Sequence, residues 1–220
     1  MMTNLFSIFD PSTSSLLSMN WITMMSIIII PSPLWITPSR IQKTWKNLFV
    51  FISIEMKANM SHKTQKFLFF LISLFTVIVL SNLLGLVPYV FTPSSHIMFS
   101  MAFAFPIWIS LMLYGWINHF NKMMIHLVPM GSPGMLTIFM VLIETISNVI
   151  RPITLSVRLS ANMISGHLLI HLLMTIPYNF NQMFIMILPI IVALMFLESA
   201  VALIQSYVFV TLVSLYTNEI

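Results

Sequence analysis

Apolar residues run along this chain in long blocks, separated by short polar intervals. Phe67 to Val87 reads FLFFLISLFTVIVLSNLLGLV, enough for the roughly 20 residues that cross a hydrocarbon core. Blocks of similar length cover 16–36, with Pro31 and Pro33 near its end, and 97–118. Two further blocks, Met135 to Ile176 and Met183 to Tyr216, are too long for simple crossings. At 1.5 Å per residue they extend about 63 and 51 Å against a core of roughly 30 Å. Pro152 and Pro189 could break them, but proline in a membrane helix usually only kinks it. The pattern therefore predicts two long tilted helices joined at the turn PYNFNQ, a C-terminal helical hairpin.

The polar intervals set the rest of the organisation. Residues 1–15 form a polar external tail. The segment 39–66 holds six of the nine Lys and Arg: Arg40, Lys43, Lys46, Lys57, Lys63 and Lys66. Within it Ile41, Trp45, Leu48 and Ile52 recur at helical spacing with the cations off that face, the pattern of an interfacial amphipathic helix. Loops rich in Lys and Arg stay on the cytoplasmic or matrix side. The loop PYVFTPSSH has neither residue, whereas HFNKMMIHLVPMGSPG carries Lys122. This alternation places the first span's start, and the N-terminus, opposite the basic segment. The expected fold is an all-α integral membrane protein with three ordinary spans, an interfacial helix and the long hairpin, in one membrane domain.

Composition agrees and excludes alternatives. Of 220 residues 59% are hydrophobic and 6% charged, against about 25% charged in soluble domains. No cysteine is present, which removes disulfides and thiolate metal sites. The N-terminus has neither the basic flank and cleavage site of a signal peptide nor the arginine-rich character of a transit peptide, so insertion without a removable address is expected. The net charge of +4 comes mostly from the interfacial cations, which suits anionic lipid headgroups rather than nucleic acid. Twenty Met and only five Gly point to an A+T-rich genome.

Against this apolar background, polar residues in the long helices are informative. Glu144, Ser147, Arg151, Thr154, Arg158, Asn162 and Ser165 follow at steps of 3, 4, 3, 4, 4 and 3. At 100° per residue all lie within about 40° of Arg158, a single stripe. A central Arg facing lipid costs about 2.5–3.5 kcal/mol even on permissive scales, so the stripe must face protein or water; a structural interface between helices would also satisfy it. Arg151 and Glu144 are seven residues apart, about 10.5 Å of rise, which argues against direct contact.

On the second long helix Glu198 and Gln205 share a face, with Ser199 and Ser206 beside it. Glu198 has no cation near it in sequence, so it is neutral, paired across the hairpin, or in a wet cavity. Such a carboxylate suits proton carriage; a helix–helix hydrogen bond is the plainer use. His167 lies half a turn from the stripe, and His171 shares its side. An HxxxH spacing can hold metal or haem, but no third convergent ligand is evident and no cofactor or metal is expected. His167 suits proton passage, His171 packing. Arginine itself is the instructive choice: Lys and His shed protons when buried, whereas guanidinium does not. An obligate cation attracts a carboxylate, favours its ionised form and repels protons, so it separates two wet pockets electrically.

The stretches IETISNVIRPITLSVRLSANMISGHLL and LESAVALIQSYVF resemble the family of a subunits of F-type ATP synthases in its mitochondrially encoded form. The resemblance covers essentially the whole chain, through MMTNLFSIFDPS, LMLYGWINHF and HLVPMGSP, and the N-terminal wording resembles arthropod members. It implies a stator subunit beside a ring of c proteolipid subunits and other membrane stator subunits, in the mitochondrial inner membrane, with the 40–66 segment on the matrix side and both termini on the intermembrane-space side. Arg158 matches the family's essential arginine facing the ring carboxylates. Asn162 and Gln205 match the polar residues that flank it, His167 and Glu198 the half-channel residues, and Glu144 a further acidic position. Many bacterial members carry the His and Glu types the other way round. Ser160 stands where Thr is common and Ser165 where Ala is common. The implied role is a proton-translocating subunit that binds no nucleotide and is not an enzyme in isolation. Its rivals are an independent secondary transporter or channel with an intramembrane anion or proton site, and a purely structural membrane subunit.

Overall fold

The computed structural model describes residues 5–13, 18–31, 37–61, 64–88, 90–128, 134–179 and 184–219. Parts of the expected tail (1–4 and 14–15), of the first span (16–17 and 32–36), of the basic segment (62–63) and of the hairpin turn (180–182) lie outside them. Six α-helices follow in order: α1 Arg40–Asn59, α2 Leu68–Gly85, α3 Ile97–Asn118, α4 Phe120–Leu127, α5 Gly134–Asn179 and α6 Phe184–Glu219. Short 3-10 helices occupy Leu5–Phe9, Met19–Ile29, Thr64–Phe67 and Pro93–Ser95. No strand occurs among the described residues.

Among the described residues four helical stretches are long and apolar enough to cross a membrane: Thr64–Gly85, Ile97–Asn118, Leu136–Thr175 and Ile185–Asn218. The expected span 16–36 is described only over 18–31, where Met19–Ile29 forms an 11-residue 3-10 helix with a non-helical Met25.

Local chemistry accounts for the helix limits. α1 opens on a reciprocal capping box: Gln42 N–H donates to Ser39 Oγ (3.4 Å), and Ser39 N–H donates to Gln42 Oε1 (2.8 Å). Its cations Arg40, Lys43, Lys46 and Lys57 are exposed, while Met56 is fully buried on another face. α2 stops at Gly85, where an added Cβ would come within 2.6 Å of Thr92 Cγ2; the returning loop needs a residue without a side chain there. α5 and α6 continue through Pro152 and Pro189 as unbroken helices of 46 and 36 residues. They extend about 69 and 54 Å at the helical rise.

One core joins the elements: Met56 and Met60 from the α1 end, Leu71, Leu74 and Ile78 of α2, Ala104 and Ile107 of α3, Leu155 and Leu159 of α5, and Phe209, Val210 and Val213 of α6. α3 and α5 run antiparallel. Met101 meets Ser156, whose Oγ donates to its sulfur at 3.1 Å, while Trp116 lies near Glu144 and Val149. α6 packs on both α2 and α5. α1 is docked rather than free, because Tyr207 of α6 donates its hydroxyl to Glu55 at 2.6 Å.

Candidate functional site: a polar stripe between two cavities

The buried face of α5 carries Pro152, Leu155, Ser156, Leu159, Ser160 and Met163. At 100° per residue that face centres about 120° from Arg158, so the core turns the middle of the stripe, at Thr154 and Arg158, away from the rest of the chain. Thr154, Arg158 and Ser165 are exposed; Glu144, Ser147, Arg151 and Asn162 are half-buried. Arg158 makes no hydrogen bond or ion pair among the described residues.

Two cavities flank it along α5. The larger, about 460 Å³, is lined by Glu144, Asn148 and Arg151 of α5, Trp108 and Trp116 of α3, and Tyr216 of α6, among others. The smaller, about 250 Å³, is lined by Asn162, Ser165 and Gly166 of α5 and Glu198 and Val201 of α6, with leucines around them. Arg158 lines neither.

In the larger cavity Arg151 Nη2 lies 3.8 Å from Glu144 Oε1, and its guanidinium sits 5.1 Å from the centroid of the Tyr216 ring. This corrects the expectation that their separation along the helix prevents contact. Rise alone misleads here: seven residues make nearly two full turns, so both side chains share a face. Arg151, whose Cβ leans toward the helix N-terminus, reaches back toward Glu144. Both side chains are partly exposed, so the pair contributes little to stability.

In the smaller cavity Glu198 is paired across the hairpin. His167 Nε2 lies 3.6 Å from Glu198 Oε1, beyond hydrogen-bond length, and both carboxylate oxygens are buried without a hydrogen-bond partner. Phe9 lies edge-on to the His167 ring at 6.5 Å. Gly166 makes this possible: a Cβ there would stand 2.7 Å from Glu198 Oε1 and 2.8 Å from Cδ. One turn of α5 away, Asn162 Nδ2 donates to Gln205 Oε1 at 3.0 Å, and Gln205 Nε2 is buried with no partner. Glu198 lines the cavity, and the His167 imidazole beside it can exchange a proton with that carboxylate. Among the described residues no group of three His, Cys, Asp or Glu could hold a metal ion.

Comparison with known proteins decides the lineage. The family model described as ATP synthase A chain matches residues 13–218. The chain is 52% identical over 227 residues to the ATP synthase subunit a of Anopheles quadrimaculatus. It is 51% identical over 227 residues to that of Aedes aegypti and 48% over 225 to that of Drosophila simulans. Each comparison covers 100% of both chains. The chain belongs to the ATP synthase subunit a family.

As a subunit a it is a membrane-sector component of the ATP synthase complex, serving proton transport for ATP synthesis, and not the nucleotide-binding catalytic part. The fold brings forward several residues of this subunit a that lie outside the polar stripe. Asn82 of α2 is fully buried, and its Nδ2 donates to the carbonyl of Ala202, one turn from Glu198, at 3.4 Å. Its signal was present in sequence, as a lone amide in a greasy span, which membrane burial makes costly. Tyr216, the Glu55–Tyr207 bond and the steric role of Gly166 had no such signal, because each depends on which helices meet.

Proposed function

We propose that this subunit a provides two half-channels to and from the carboxylates of a rotating c ring, separated by Arg158. The observation that carries the proposal is the state of the charges. Glu144 lies against Arg151, Glu198 against His167, and Arg158 stands exposed with no partner among the described residues. An unpaired guanidinium at membrane depth needs a partner from outside the chain, and a c-ring carboxylate supplies one. A transporter with its own internal anion site would instead be expected to keep this cation turned inward.

The mechanism follows from the chemistry. A proton from the intermembrane space reaches the Glu198–His167 pair and passes to a ring carboxylate, which as a neutral acid can turn into lipid. After nearly a full turn a protonated site meets the larger cavity, near Glu144, and releases its proton to the matrix. Arg158 holds the vacant carboxylate ionised and blocks a direct leak between the cavities. Asn162 and Gln205, bonded to each other, brace the faces of α5 and α6 beside it. Each elementary charge moved delivers about 2.3 kcal/mol per 100 mV. The basic α1 segment lies on the matrix side of the inner membrane, and α5 and α6, too long for upright crossings, lie strongly tilted. Tyr216 shares the larger cavity with Glu144 and Arg151, so the C-terminal end of α6 lies on the matrix side, opposite the N-terminus, and not on the intermembrane-space side as expected.

Arg158→Ala in the reconstituted complex should abolish proton-driven ATP synthesis while leaving assembly intact. Synthesis at the wild-type rate in that variant overturns the reading.

A further inference from the structure

Residues 91–95 of the loop joining α2 to α3 are buried, although connecting segments ordinarily run over a protein's surface. Phe91, Thr92, Ser94 and Ser95 are all at most 8% exposed. Thr92 and Ser95 satisfy each other: Thr92 Oγ1 donates to Ser95 Oγ at 3.1 Å, and Ser95 Oγ donates to the Thr92 carbonyl at 2.7 Å. Three neighbouring polar groups are not satisfied by protein. Ser94 Oγ, His96 Nε2 and, from the helix Met19–Ile29 packed against this loop, Ser26 Oγ are buried without a hydrogen-bond partner. The His96 ring lies 5.4 Å from Trp21 and 5.3 Å from Phe91. These aromatic faces favour a cation between them.

The same half of the molecule holds further unmatched atoms: Asn82 Oδ1, His171 Nδ1, His167 Nε2 and both oxygens of Glu198. Over nine-tenths of buried polar groups in proteins find a partner, and where protein offers none, water does. The antiparallel register of α3 and α5, with Met101 at Ser156, sets residues 94–96 beside the part of α5 that follows Ser160. The turn Pro93–Ser95 packs directly on both α2 and α5. The titratable groups that the neighbouring helices bring toward this side are His167 and His171 of α5 and Glu198 of α6; α2 and Met19–Ile29 contribute none.

We propose that His96 is an additional proton-relay residue, placed before the His167–Glu198 pair on the uptake side and joined to it by water held at Ser26, Ser94 and His171. A proton arriving from water at Nε2 forms the imidazolium, and loss of a proton from either ring nitrogen to the next water restores the neutral ring. No other reactant is consumed. The proposal rests on the half-channel reading above.

The test uses the intact complex in sealed vesicles, with proton-driven ATP synthesis measured for His96→Ala, His96→Gln and, as a control on the underlying reading, Arg158→Gln. Both His96 variants should assemble and synthesise several-fold more slowly than wild type. Glutamine keeps the size and hydrogen bonding but cannot carry a proton through, so its deficit separates relay from packing. Free imidazole on the uptake side should restore the His96→Ala rate in proportion to its concentration and leave wild type unchanged. A wild-type rate in His96→Gln, or a slow His96→Ala that imidazole does not rescue, overturns the relay. Should Arg158→Gln itself retain synthesis, the half-channel reading fails first.

Discussion

Gly166 shows how much can depend on one missing methyl group. Its absent Cβ gives Glu198 room to lie against α5 within reach of His167. Gly166→Ala would push the carboxylate, the far end of a flexible side chain, aside at little cost to packing. Proton-driven synthesis should fall well before assembly fails, a difference seen by comparing synthesis rate with the yield of intact complex. Asn162 offers a second test: Asn162→Ala leaves the buried Gln205 amide with no partner at either end. That should lower the complex's thermal stability by about 1–3 kcal/mol, and adding Gln205→Leu should recover part of the loss. Legibility at this scale was uneven. The stripe from Glu144 to Ser165 could be read because helical periodicity turns spacing into direction. The Arg151–Glu144 contact was misjudged because rise was weighed without side-chain reach. The His167–Glu198 pairing depends on the register of two helices, which no local pattern contains.

At the scale of elements, α1 joins a solvent-facing row of cations to a docked apolar side, and the Tyr207–Glu55 hydrogen bond ties it to α6. Tyr207→Phe removes that bond alone. A hydrogen bond of this half-buried kind contributes about 1 kcal/mol. Faster proteolysis at the ends of α1 in the assembled complex, with the α5–α6 hairpin equally protected, is the expected outcome; unchanged cleavage would mean Met56 and Met60 suffice to hold the helix. The amphipathic pattern of 39–66 was readable from sequence, but the docking was not, since Glu55 looked like one acid in a basic segment. Helix Met19–Ile29 illustrates the opposite limit. Its apolar run says that it is buried in something, while its 3-10 geometry has no signature in residue type.

The whole molecule is asymmetric. Its core draws on α1, α2, α3, α5 and α6, yet one side of α5 presents Thr154, Arg158 and Ser165 beside Ile150, Ile153, Val157 and Leu169, all exposed. A mixed apolar and charged face of this kind is a surface for another polypeptide rather than for lipid alone. Because the chain contains no cysteine, a single thiol reports cleanly on that face. Thr154→Cys should react quickly with a water-soluble maleimide in the detergent-solubilised chain and slowly in the assembled complex. Equal rates in the two states would count against a partner there. The all-helical, membrane-embedded character was plain from composition and block length. The openness of this face was foreshadowed only by the cost of leaving Arg158 in lipid.

Pro152 has one more consequence. Proline has no amide hydrogen, so the carbonyl four residues earlier loses its helical donor, and that carbonyl belongs to Asn148, a residue in the wall of the larger cavity. The helix thus supplies a main-chain acceptor that only an outside donor can satisfy. Substitutions of the surrounding side chains, even of Glu144 and Arg151 together, would leave it in place. That gap in the main-chain ladder of α5 is written into the backbone beside the larger cavity, and only a change at position 152 could close it.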